Sequence, residues 1–83
     1  MNTNINEALH RTAIELLKAA YHLISRKGRI GVIHWKYENT PRGPSMDIRP
    51  NPDKIREWAA DVGLYFEKQV DLKPYHYGLV FHK

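Results

Sequence analysis

Eighty-three residues, 42% of them hydrophobic and none of them cysteine, suffice for one small domain burying only roughly 60–65% of its unfolded surface, and exclude a disulfide framework or thiolate metal site. Thirteen Lys and Arg against nine Asp and Glu give a net charge of +4, scattered without a block of like charge, which reads as a mildly basic solvated surface, with a nucleic-acid footprint as the alternative. No N-terminal apolar stretch resembles a signal peptide or membrane span, so a cytoplasmic protein is the default expectation, and at this size help from a partner subunit is plausible.

In chain order, Asn4 and Glu7 have capping-box spacing and open a helix that Gly28 is expected to close in the left-handed conformation. Leu9, Ala13, Leu16, Ala20 and Leu23 fall on one stripe of it, broadened by Leu17, Tyr21 and Ile24, wide enough to cover a sheet. Arg29 to Tyr37 follows as RIGVIHWKY. Ile30, Val32 and His34 alternate with Gly31, Ile33 and Trp35, so both faces are apolar and a strand covered on each face is expected. The glycines and β-branched residues favour strand over buried helix.

Glu38 to Asn51 is a loop long enough to suspect of function. Pro41, Pro44 and Pro50 stiffen it by fixing φ. Its fixed positive charges are Arg42 and Arg49, either of which could hold a carboxylate or phosphate through a bidentate contact; a solvated arginine is the plainer alternative.

The second helix has Asn51 as N-cap, Pro52 in its first position, Asp53 at the positive dipole end and Gly63 as terminator. Ile55, Trp58, Ala59 and Val62 form one buried face, which makes Trp58 a core residue. Leu64 to Leu72 alternates as a half-exposed edge strand should, Lys73 and Pro74 turn the chain, and His76 to His82 forms an apolar last strand with Tyr77, Leu79 and Phe81 on one side.

A helical crossover makes the first two strands parallel, and the tight turn makes the last antiparallel to the second. The apolar last strand wants two neighbours. The expected result is an α/β domain spanning residues 1–83, helix-strand-helix-strand-strand, with a three-stranded mixed sheet in spatial order first, third, second.

This ordered set resembles the C-terminal half of a class I S-adenosylmethionine-dependent methyltransferase of type 11, a Rossmann-like fold. The resemblance is carried by Leu16 to Tyr21 leading to Lys27-Gly28-Arg29, by Ile33-His34-Trp35, by Thr40 to Pro50, by Trp58 to Gly63, and by Pro74 to Phe81. It covers about Leu9 to the end. The family binds its cofactor on the first half of the fold, at a glycine-rich turn and an acidic residue ending the second strand. Gly28 and Gly31 form no GxGxG turn, and a helix precedes them. The resemblance therefore implies a truncated methyltransferase-like module, not catalytic alone, with no cofactor expected for this chain by itself. A methyltransferase active only in an oligomer, or a small basic nucleic-acid binder, is the alternative.

Ligands of open α/β sheets sit beyond the carboxyl ends of the parallel strands. That places His34, Trp35, Arg42, Arg49, Tyr75 and His76 on one rim as a substrate-side site, with Tyr77 close by. The competing reading has His34 as a hydrogen-bonded core histidine and the tyrosines as filling beneath the loop. His10, His22, His34, His76 and His82 lack the close spacing of a zinc site. Because the first strand would pair with a fourth strand in the whole fold, its open edge predicts a partner: a twofold dimer in which Arg29–Tyr37 pairs with its own copy, or a separate chain carrying the cofactor-binding strands.

Overall fold

The computed structural model describes residues 5–83, and side chains from His10 onward. Asn4, expected to cap the first helix, thus lies outside the described residues, and so do the side chains of Glu7 and Leu9, expected in its capping box and stripe. The elements are α1 (Ile5–Leu23), β1 (Arg29–Trp35), a 3₁₀ turn (Met46–Ile48), α2 (Pro52–Asp61), β2 (Tyr65–Leu72) and β3 (His76–His82).

The sheet has the expected order β1-β3-β2. Both hydrogen-bonded pairings are antiparallel. The parallel relation of β1 to β2 therefore holds only across β3, and the sheet is antiparallel where a mixed one was expected. The β1–β3 register runs unbroken from Arg29 opposite His82 to Trp35 opposite His76. Along β2 it slips between Phe66 and Lys68, so Glu67 is the extra residue of a β-bulge.

Register and alternation sort the side chains. Ile30, Val32 and His34 share a face with Phe81, Leu79 and Tyr77. Leu17 of α1 and Ile55 and Ala59 of α2 join Ile30, Leu64, Tyr77, Leu79 and Phe81 in one buried core. Both helices therefore lie on this face, and Phe81 and Leu79 are fully buried beneath them. Among the described residues, no helix lies over the opposite face. Ile33 is 65% exposed there, and a Cβ at Gly31 would meet nothing within 4 Å. The expectation of two covered faces for β1 fails because helices cover one side only.

The helix stripe narrows for a related reason. Leu17 is buried and Ala20, Tyr21 and Ile24 pack on the core, yet Leu16 and Leu23 are largely exposed. Seven residues apart, these two share one margin of the helix. Three strands are too narrow to reach it.

Local termini follow the chemistry. Asn51 caps α2 by accepting from the Asp53 N–H at 2.9 Å. Gly63 closes it with φ of 99°, and a Cβ there would come within 3.2 Å of the Tyr21 ring. Gly28 does not take the expected left-handed conformation. Its N–H bonds to the Ser25 carbonyl at 3.0 Å, and a Cβ would crowd Ile24 and Ser25 at 3.2 Å, so it serves close packing after α1.

Candidate functional site

The six residues expected on one rim separate into two places, because successive residues of a strand point to opposite faces. Trp35 lies on the open face. The His76 ring is tilted against it at 4.3 Å between centroids, and Tyr75 stacks on it at 6.4 Å. The Glu38–Asn51 loop folds over the same ring: a Cβ on Gly43, whose φ is 103°, would lie 2.7 Å from it.

Arg49 is the buried staple of that loop, 6% exposed, with its guanidinium 5.5 Å from the Trp35 ring centroid. Its Nε donates to the Pro44 carbonyl at 2.8 Å, and Nη1 to the carbonyls of Lys36 and Glu38 at 3.1 and 2.8 Å. Nη2 donates to Thr40 Oγ1 at 2.9 Å and to the Arg42 carbonyl at 3.1 Å. All five N–H donors of the guanidinium are thereby engaged. Arg49 has none left for the expected bidentate contact with a carboxylate or phosphate. Arg42 offers the staple its carbonyl, which also accepts from the Thr40 hydroxyl, while its side chain is exposed.

The reason lies in composition. Pro41, Pro44 and Pro50 carry no N–H, so the loop has more carbonyls than backbone donors. One arginine supplies the missing donors. That shortage was visible in the sequence; which arginine would turn inward was not.

His34 faces the helices. It stands in the wall of an apolar cavity of about 200 Å³, with Val32 beside it, Ala13 and Leu16 from α1, Pro50 from the loop and Trp58 from α2. Burial lowers the His34 pKa from its ordinary value, favouring the neutral ring. Trp58 is only partly buried because it borders this space, with His10 tilted against it at 5.1 Å. Tyr77, opposite His34 in register, donates its hydroxyl to the Pro50 carbonyl at 3.3 Å. Burial pushes its pKa up to about 12. The loop thus grips the carboxyl end of β1 from both faces, Gly43 on one and Pro50 on the other.

Sequence reasoning missed this cavity. Its only trace was the coincidence of small Ala13 with bulky Leu16 and Trp58 at positions that topology alone brings together. Among the described residues, no three His, Cys, Asp or Glu side chains gather as metal ligands, and no helix is long and apolar enough to cross a membrane.

No protein-family model matches the chain, and no curated protein matches it. A solved structure does: a proposed type 11 methyltransferase from Sulfolobus solfataricus, with a TM-score of 0.73 and 28% sequence identity over 86% of this chain. The match takes in 41% of that protein, so the chain spans about two-fifths of its length. The fold is methyltransferase-like, a small α/β unit corresponding to part of such a domain.

Proposed function

We propose that these residues form a partial methyltransferase-like module, equivalent to the C-terminal part of a class I fold, that is not catalytic on its own. It acts by association along β1, with a second copy or with a chain that supplies cofactor-binding strands. The observation supporting this most is the state of that edge. β1 ends the sheet, its register with β3 is unbroken, Ile33 on it is 65% exposed, and Leu16, which shares a cavity wall with Val32 and His34, is 67% exposed. An apolar, regular edge with an apolar margin is a template for another chain.

The residues present do not fit S-adenosylmethionine. Its binding in this fold class rests on a glycine turn whose backbone approaches the ligand. The glycines with positive φ are Gly43 and Gly63; one lies against Trp35 and the other against Tyr21, and neither leaves a cradle.

Isothermal titration of the purified chain with S-adenosylmethionine is expected to give no saturable heat at micromolar concentrations. Light scattering across protein concentration is expected to show the mass rising above one chain. Clear cofactor binding by the monomer would overturn the non-catalytic reading.

A further inference from the structure

The cavity beside His34 has a chemistry of its own. Its volume of about 200 Å³, open to solvent past the exposed Thr12 and Leu16, is of the order of the roughly 150 Å³ of an enclosed engineered apolar cavity that binds benzene. Aliphatic and aromatic groups line it: Leu16, Leu17, Val32, Pro50, Ile55 and Trp58. Among the described residues, Thr12 and His34 are the polar side chains in its wall, and no Asp, Glu, Lys or Arg lies there. A charged ligand would lose its hydration there without a counter-charge, whereas a neutral ring loses little.

We propose that this cavity binds a small neutral aromatic carrying one hydroxyl, a phenol-class molecule, whose ring lies against Trp58 and Val32 and whose hydroxyl hydrogen-bonds the His34 imidazole. A neutral imidazole has one acceptor nitrogen and one N–H, and burial favours that neutral form. The ring fills apolar space, and the single polar group of the ligand meets the one imidazole in the wall. This matches the usual design of small-molecule sites, mostly apolar with a few placed polar groups. Every residue named here belongs to one chain; Leu16 is shared with the apolar margin of the proposed β1 assembly, so the site is tested on the monomer.

The test is an NMR titration of the isotope-labelled chain, at a concentration where light scattering gives one chain per particle, with phenol, toluene and benzoate as probes. Phenol is expected to saturate, moving the amides of Val32, His34 and Ile55 and the Trp58 indole signal, while the Trp35 indole on the other face stays in place. Toluene should bind about fivefold more weakly, the loss of one neutral hydrogen bond. Benzoate should not saturate. Ala13→Leu, which adds a side chain into the empty space, should keep the native spectrum and abolish phenol binding.

Several results would overturn the proposal: no saturable phenol shifts up to its solubility limit, equal binding of toluene and phenol, or phenol binding unchanged by Ala13→Leu. So would cavity amides that shift without any probe as protein concentration rises, because a second copy would then fill the space. A cofactor titration or mass measurement that defeats the assembly reading leaves each of these outcomes unaltered.

Discussion

The two edges of the sheet solve the same problem in opposite ways. β2 carries Glu67, Lys68, Gln69 and Asp71, and its ladder is interrupted by a bulge at Glu67. Charge, twist and bulging all discourage a further strand from adding there. β1 presents Gly31 and Ile33 in a regular register, with the exposed Leu16 of α1 close to its Val32 and His34. One edge is finished for solvent and the other is left ready for pairing. Under the proposed function, association uses β1 because that edge carries none of the deterrents seen on β2.

The largest effect on this contrast should come from Arg49, which holds the loop around the carboxyl end of β1. Arg49→Met leaves the carbonyls of Pro44, Lys36 and Glu38 without their side-chain donor and is expected to destabilise the fold by roughly 3 kcal/mol. Arg49→Lys should not restore it, since an ammonium has three donors against five. Arg42→Ala should stay within about 0.5 kcal/mol. Urea denaturation followed by circular dichroism measures all three.

A second comparison sets Ile33→Lys on β1 against Val70→Lys on β2. Both positions are exposed and lie on the open face, and each change should alter monomer stability by no more than about 0.5 kcal/mol. Only Ile33→Lys should abolish self-association in sedimentation velocity. Equal loss from both would mean that the open face, without the β1 edge, governs association.

Gly43→Ala and Gly31→Ala separate the ends of β1. The first must place a side chain at φ of 103° and against Trp35, at a cost of about 1–2 kcal/mol or more. The second enters open space and should be neutral or slightly stabilising in thermal unfolding, since glycine is disfavoured in strands.

The smallest effects are those of pH. With the His34 pKa lowered in the fold, its contribution to stability is present above the unfolded value of about 6.5 and is lost as pH falls through the folded value. Tyr77 behaves in the opposite sense. Its contribution is present below the unfolded value of about 10 and is lost as pH rises through about 12. His34→Phe should flatten the acid limb of the stability profile, and Tyr77→Phe the alkaline limb.

Much of this architecture was legible in the residues. The Asn51-Pro52-Asp53 start and Gly63 stop of α2 are local chemistry, and the strand order followed from an apolar last strand that needed two neighbours. The faces of β1 were not legible. Alternation reports that Gly31 and Ile33 oppose Ile30 and Val32, but whether a layer lies over them depends on chain outside the strand. Within the expected rim, Trp35, Arg49, Tyr75 and His76 do come together, while His34 is set apart because it is adjacent to Trp35 in sequence and so lies on the opposite face. Proximity along a strand was taken for proximity in space. Arg49 read as a ligand-binding charge because a side chain's donors are counted in sequence, while the carbonyls that engage them gather only when the loop closes.

The central claim is that the β1 edge does not stay bare. Light scattering of the unmodified chain over a wide concentration range tests it most directly. The mass should climb from one chain toward two and remain at one for Ile33→Lys. A monomer at every concentration, with β1 amides already protected from exchange, would contradict it.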